Sequence, residues 1–153
     1  RIPALGQLPA LRSLIIERFL SVVTVGSEFF KEHDCASVIP FPSLETLHFG
    51  GMFSWEEWHS IDMEAFPKLR NLRFYGCPRL IGNLPGQLVS LECMEIIACP
   101  LLASSIPKCP KIRELLLFKS QNVALQEQEL STSLRHLQIS GARMLEPLSE
   151  KLL

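Results

Sequence analysis

The segment PKLRNLRFYGCPRL, residues 67–80, decides the fold of this chain. Its apolar residues fall at relative positions 1, 4, 6, 9 and 12, occupied by Leu69, Leu72, Phe74, Cys77 and Leu80. The step of two from Leu72 to Phe74 puts both side chains on one face of a β-strand, whereas a helix would place its next apolar residue three or four positions after Leu72. Pro78 has no amide hydrogen to donate to a sheet, so it marks the end of the strand.

The 1, 4, 6 spacing occurs six times along the chain, this copy included. The copies begin at Leu11, Leu44, Leu69, Leu91, Ile112 and Leu134. The intervals are 33, 25, 22, 21 and 22 residues, and all but the first fit leucine-rich repeats of about 20 to 29 residues rather than helical pairs. One unit has too little apolar surface to fold alone, so the units must stack. The sequence predicts an α/β-type leucine-rich-repeat solenoid with a curved parallel sheet of six short strands, centred near residues 14, 47, 72, 94, 115 and 137.

The connecting segments predict mostly irregular or 3-10 returns on the convex side. LIGNLPGQLVS and LLASSIPKCPK carry too much Pro and Gly for full helices, and a little helix is expected only around residues 124–130. The long connection 20–42 mixes an apolar run with a charged patch, and it predicts a convex-side turn followed by a flexible surface loop. The chain opens inside a repeat and ends in what looks like a seventh unit. We therefore expect one leucine-rich-repeat domain over residues 1–153, a fragment truncated at both ends.

Composition excludes several classes of partner. The formal net charge is −1 and no long block of like charges occurs, which argues against binding to nucleic acid or to an anionic membrane surface. No run of eighteen apolar residues and no signal peptide are present, so no membrane span is predicted. Five cysteines and the absence of any Asn-x-Ser/Thr sequence indicate reduced thiols in a cytoplasmic protein.

The cysteines at position 9 of the repeat are predicted to have a structural role rather than a redox role. A small polar side chain there can turn inward and bond the backbone that is freed where the strand ends, which suits Cys77 and Cys99. Phe19, Met52 and Ala142 occupy the same position and cannot make that bond. The sequence therefore predicts irregular or water-filled turns at those three repeats.

Catalytic and metal-binding patterns are weak. His33 and Cys35 flank Asp34, but a zinc site needs four converging ligands, and no paired Cys-x-x-Cys or His-x-x-x-His occurs. Glu56 and Glu57 are adjacent in a loop without the geometry of an acid and base pair. No Gly-x-Ser-x-Gly turn is present. We therefore predict no catalytic, cofactor-binding or metal-binding residues and a protein that is not an enzyme.

Strand alternation predicts the functional surface. If positions 4 and 6 point to the core, positions 3, 5 and 7 point to the concave, solvent side. Several of these residues are unusually large and apolar for exposed sheet positions, which favours a partner surface, with contact to the rest of a longer chain as the alternative. The predicted partner-binding residues are Arg73, Tyr75, Glu95, Ile97, Leu116 and Phe118.

Two further regions are weighed as sites. Trp55, at position 12, is predicted to be core. For Trp58 the sequence leaves core and binding site equally open. Should the concave patch not bind, the Trp58 region and the loop from Ser27 to Ser37 are the next candidates.

The whole chain also resembles a known family. The segments LGQLPALRSL, FPSLETLHFGGMFSWEEW, FPKLRNLRFYGCPRL, LPGQLVSLECMEIIACPLL and LRHLQISGARML are similar to the leucine-rich-repeat region of plant coiled-coil, nucleotide-binding, leucine-rich-repeat disease-resistance proteins. The resemblance implies an intracellular immune receptor that recognises a pathogen effector or a guarded host protein. It also implies autoinhibition of an attached nucleotide switch, so the partners are proteins, including the receptor's own nucleotide-binding domain. Because no G-x-x-x-x-G-K-[ST] occurs here, ATP or ADP is expected only in an upstream domain.

Two other classes remain open at this point. A substrate-binding leucine-rich-repeat adaptor of a ubiquitin ligase would also favour Cys at position 9. An extracellular receptor domain is disfavoured by the missing glycosylation sites. The immune-receptor interpretation is preferred.

Overall fold

Stacked parallel strands dominate the structure. The computed structural model describes residues 4–30, 39–58, 65–81, 84–103, 106–120, 122–123 and 132–140. In chain order the elements are the 3-10 helix η1 (Leu5–Gln7), β1 (Ser13–Glu17), β2 (Thr24–Val25), α1 (Ser27–Phe30), β3 (Thr46–Gly50), β4 (Glu57–Trp58), β5 (Asn71–Tyr75), β6 (Cys93–Ile97), β7 (Glu114–Phe118) and β8 (His136–Ser140). One sheet has the order β1-β3-β5-β6-β7-β8, and β2 pairs with β4 in a second. The predicted solenoid of six short parallel strands is confirmed, each strand centred one residue after its predicted position.

The register of the large sheet aligns equal repeat positions. Each of its strands covers positions 3 to 7, so Leu72 lies beside Met94 and Phe74 beside Ile96. Positions 4 and 6 are buried in β3, β5, β6 and β7, whereas positions 3 and 5 stay partly or fully exposed there. The two-residue spacing in the sequence thus reflects the strand geometry, in which alternate side chains point to the core face and the residues between them point to the solvent face.

A left-handed residue at position 8 ends each strand of the large sheet from β1 to β7. The residues are Arg18, Gly51, Gly76, Ala98 and Lys119, with φ between 51° and 66°. Each N–H bonds the carbonyl of position 7 in the next strand, as Gly76 does to Ile97 at 2.9 Å. This bond carries the hydrogen-bond ladder one residue past the strand while the chain turns away.

The turn at position 9 is the same in every described repeat up to the fifth. The N–H of Leu80 donates to the carbonyl of Cys77 at 3.4 Å, and Trp55 donates to Met52 at 3.3 Å. The prediction of irregular turns at Phe19 and Met52 is wrong, because this backbone hydrogen bond does not depend on the side chain at position 9. Met52 instead fills the core. Ala142 lies outside the described residues.

Small polar side chains at position 9 bond the backbone as predicted. The thiol of Cys99 donates to the carbonyl of Ile97 at 3.5 Å. The hydroxyl of Ser120 accepts from the N–H of Cys99 at 3.2 Å and lies 3.2 Å from the carbonyl of Phe118. Cys77, Cys93, Cys99 and Cys109 are all free thiols.

An aromatic cluster fills the core of the first three repeats. Its members are Phe29, Phe30, Phe41, Phe49, Trp55, Trp58, Phe66 and Phe74, all buried. The rings of Phe41 and Phe66 stack at 5.1 Å, and those of Phe49 and Phe74 at 5.8 Å. Trp55 is core as predicted, and the open question about Trp58 is answered, because it is buried too.

In the connection 20–42 the structure differs from the sequence prediction. The sequence predicts a turn and a flexible surface loop here, but the described part contains β2 and α1. Phe29 and Phe30 of α1 enter the aromatic cluster. The backbone of η1 approaches so closely that a Cβ at Gly6 would overlap the carbonyl of Phe30. Residues 31–38, with the His33 and Cys35 pattern, and the expected helix at 124–130 lie outside the described residues.

Across the parts of the chain that the structure describes, no helix has the length and apolar character needed to cross a bilayer.

Candidate protein-binding surface

The six predicted partner-binding residues form one contiguous patch on the concave face. Arg73, Glu95 and Leu116 are register neighbours at position 5, and Tyr75, Ile97 and Phe118 are register neighbours at position 7. Adjacent strands lie about 4.8 Å apart. The six side chains therefore make two parallel rows across β5, β6 and β7, which we call the central patch.

Large apolar side chains remain accessible in the central patch. Tyr75 is 50% exposed, and Ile97, Leu116 and Phe118 are partly exposed. The strands below them are fully paired, so a partner that docks on this face meets side chains rather than free backbone. Burying such groups at the centre of an interface is a main source of binding free energy.

Charge within the central patch is partly neutralised. The Nε of Arg73 lies 3.0 Å from Oε2 of Glu95, and its guanidinium lies 5.5 Å from the centroid of the Tyr75 ring. Both charged side chains are partly solvent-exposed, so the pair contributes at most about 1 kcal/mol to stability. Its main effect is to hold Arg73 and Tyr75 in a defined arrangement on the surface.

His48 continues the position-5 row beyond Arg73. Its Nδ1 lies 4.0 Å from Oε1 of Glu17, and its Nε2 is buried with no hydrogen-bond partner in the described structure. Burial, followed by the charge of Arg73, lowers the pKa of His48, against smaller raising effects of Glu17 and Glu95. The imidazole is therefore neutral at pH 7.

A cleft adjoins the central patch on the side of β8. Its volume is about 340 Å³, and we call it the β6–β8 cleft. The lining residues are Cys93, Met94, Glu95, Glu114, Leu115, Leu116, His136 and Gln138. Sequence reasoning did not single out the cleft. The available signal was the diagonal placement of Glu95 and Glu114 on neighbouring strands with the small Cys93 beside them.

The Cys93 thiol lies close enough to the carboxylates of Glu95 and Glu114 to be influenced by the charge of both. Burial raises the pKa of the Cys93 thiol to about 11, and the charges of Glu95 and Glu114 add to the increase. A thiol with this pKa stays protonated at neutral pH and is a poor nucleophile.

Paired charges border the concave face where the strands begin. At position 2, Nε of Arg70 lies 2.6 Å from Oε2 of Glu92, whose other oxygen is 4.0 Å from Nε of Arg113. The hydrogen bond from Arg70 is the main cause that lowers the pKa of Glu92. The apolar part of the central patch thus has a polar border.

Metal chemistry finds no support in the described residues, where no group of three or more His, Cys, Asp or Glu side chains is placed to hold an ion. Glu56 lies 4.0 Å from Arg79, in an exposed ion pair and not in an acid and base pair.

The chain is similar in sequence to plant proteins that are named for disease resistance. Over 106 residues, 68% of this chain, it is 40% identical to "Putative disease resistance protein At3g14460" of Arabidopsis thaliana. Over 110 residues, 66% of this chain, it is 36% identical to "Putative disease resistance RPP13-like protein 1" of the same plant. The matched regions span only 7% and 10% of those two proteins. No protein-family model and no solved structure matches the chain.

Proposed function

We propose that this chain is a protein-recognition module of an intracellular plant immune receptor. The observation that carries the proposal is the central patch, where Tyr75, Ile97 and Phe118 stand side by side on three strands that are each paired on both sides. The similarity to plant disease resistance proteins supports the biological setting.

The surface has the composition of a protein interface. Interfaces place aromatic and aliphatic side chains at the centre and charged groups at the border. The position-7 row supplies the centre, and the ion pair of Arg70 and Glu92 lies on the border. An open sheet face of this kind, with its side chains in two rows, suits another protein better than a small molecule, which binds in an enclosed pocket.

The proposed partner is a pathogen effector, a guarded host protein or the receptor's own nucleotide-binding domain. Docking of that domain on the central patch would restrain the nucleotide switch, and displacement by an effector would release it. In this proposal the chain works in the cytoplasm, is not an enzyme and binds no cofactor, while ATP or ADP binds to another domain of the receptor. Similarity to disease resistance proteins favours this role over that of a ubiquitin-ligase adaptor.

Photo-crosslinking tests the proposal whichever protein the partner is. A photoreactive phenylalanine analogue replaces Tyr75 in the full-length protein, and the matched control carries it at Phe53, which is 54% exposed but lies in the turn after β3. We expect crosslinks to another protein, or to another domain of the same chain, from position 75 and few from position 53. Equal yields from both positions would contradict the proposal.

Truncation of the two aromatic side chains gives a second readout. The double variant Tyr75→Ala/Phe118→Ala should weaken association by about 2 kcal/mol or more, or should activate signalling if the contact is autoinhibitory. The free energy of unfolding should change by about 0.5 kcal/mol or less per site, as for surface residues. Unfolding of both single variants would mean that position 7 faces the core.

A further inference from the structure

The β6–β8 cleft is continuous with the central patch. Glu95 and Leu116 belong to both, and the cleft extends from them over positions 3 and 5 of β6, β7 and β8. A protein docked on the central patch therefore contacts the border of the cleft at Glu95 and Leu116.

The cleft carries negative charge that the described residues do not fully neutralise. Glu95 is paired with Arg73 at 3.0 Å. Glu114 is solvent-exposed and has no ion pair with a Lys or Arg in the described part of the chain. The register places His136, on β8, beside Glu114. The carboxylate of Glu114, at the open side of the cleft, is thus left for a cation from outside.

The apolar lining restricts the kind of cation. Leu116 is partly exposed, lies beside Glu95 in the register and follows Glu114 by two residues on β7. A small hydrated cation gains nothing from Leu116, whereas a long side chain can lay its methylene groups on it and present its charge to the carboxylates.

We propose that the β6–β8 cleft binds a lysine or arginine side chain of the protein that docks on the central patch. This inference rests on the proposed function and adds the chemistry of the partner. Glu95 and Glu114 sit diagonally on adjacent parallel strands, about 8 Å apart by the strand spacing and the rise per residue. A cationic group placed between them is attracted by both carboxylates, and a hydrogen bond to either is of the stronger, charge-assisted kind.

The spacing of the sheet also predicts the sequence of the partner. Positions 5 and 7 of one strand are two residues apart, about 6.6 to 6.8 Å. An extended segment lying along the strands has the same spacing between alternate side chains. The partner therefore carries its Lys or Arg two residues from a large apolar side chain that packs on Ile97 or Phe118.

Selection of short random peptides displayed on phage tests this inference. Parallel selections use the full-length protein, its Glu114→Lys variant and the control Glu17→Gln. Glu17 is a carboxylate of the same concave face, but it lies on β1, outside the cleft. We expect peptides with Lys or Arg two residues from an aromatic or aliphatic residue. Their synthetic versions should bind at least about tenfold more weakly to Glu114→Lys than to Glu17→Gln. Their binding to the unsubstituted protein should also weaken at least about tenfold when the salt concentration rises from about 0.15 M to about 1 M.

The Glu114→Lys selection should in turn prefer acidic peptides. Circular dichroism and thermal unfolding confirm that each variant keeps its fold. The selected peptides are also tested for binding to the Tyr75→Ala/Phe118→Ala variant. Peptides whose binding is weakened by this variant, but whose sequences show no preference for basic residues, would overturn this inference and leave the proposed function intact. Peptides insensitive to all of these residues, or the absence of any enriched peptide, would overturn both.

Discussion

Gly76 and Ala98 occupy the same turn position in adjacent repeats and share a left-handed backbone, with φ of 66° and 55°. Their N–H groups make equivalent bonds, to Ile97 and to Phe118. A left-handed backbone costs a residue with a Cβ about 1 to 2 kcal/mol, whereas glycine adopts it freely.

Exchanging the two residue types should therefore have opposite effects. We expect Ala98→Gly to raise the free energy of unfolding by about 0.5 to 1 kcal/mol and Gly76→Ala to lower it by about 1 kcal/mol, both measured by urea titration. Nothing closer than 3.9 Å would meet a Cβ at Gly76, so the cost there is conformational. Ala103, exposed and without positive φ, is the control, and Ala103→Gly should only destabilise. Equal losses for Ala98→Gly and Ala103→Gly would refute the prediction.

Gly6 is predicted to be intolerant of any side chain. A Cβ there would overlap the backbone carbonyl of Phe30, which cannot move without displacing a ring of the aromatic cluster. We expect Gly6→Ala to lower the free energy of unfolding by about 1 to 3 kcal/mol, the usual range for overpacking. Gly86→Ala is the matched control, because nothing lies within 4 Å of its Cβ, and it should be neutral or slightly stabilising. Similar effects of the two changes would argue against a tight contact between η1 and α1.

Ser120 is the buried polar residue whose hydroxyl joins two repeats. Ser120→Ala should cost about 1 to 3 kcal/mol, because the N–H of Cys99 loses its acceptor in a buried place. Ser120→Cys should cost less, since Cys77 and Cys99 occupy the same position in the preceding repeats. Chemical denaturation of the three proteins gives the comparison, and a neutral Ser120→Ala would show that water replaces the hydroxyl.

Stability should fall as His48 becomes protonated. Its pKa in the folded protein lies below the ordinary value of 6.5, so the unfolded chain binds the proton more readily. The His48 contribution is complete above about pH 6.5 and is lost as the pH falls through the folded pKa. Thermal unfolding in this pH range should be less pH-dependent for His48→Gln. Glu17→Gln should steepen the dependence, because Glu17 raises this pKa; a steeper curve for His48→Gln would contradict the sign.

The strands could be predicted from sequence because one physical rule governs them all. Each buried pair at positions 4 and 6 needs a two-residue step, and six copies of that step fix both the sheet and its register. The same alternation puts Tyr75 and Phe118 on the open face. The structure itself was needed to show the pairing of Arg73 with Glu95 and the volume of the cleft, which depend on side-chain rotamers.

The segment containing Phe29 and Phe30 could not be predicted in the same way. Its residues follow no repeat spacing, and they are buried only because Phe41 and Phe66 lie opposite them. The prediction for the turn at Met52 is wrong for a related reason. It treats the side chain as a missing hydrogen-bonding group, although the backbone makes the turn and the core needs an apolar residue there.

The position of the aromatic cluster gives the array a direction. Residues of β3 and β5 are packed among its rings, whereas Leu137 and Ile139 of β8 are only partly buried. Because each repeat interacts chiefly with its neighbours, amide hydrogens should exchange more slowly in β3 and β5 than in β8. β3 and β5 precede β6, β7 and β8 along the chain, so they can serve as a template on which these later strands dock. Because β8 carries the His136 and Gln138 wall of the cleft, a side chain bound there would slow exchange in β8.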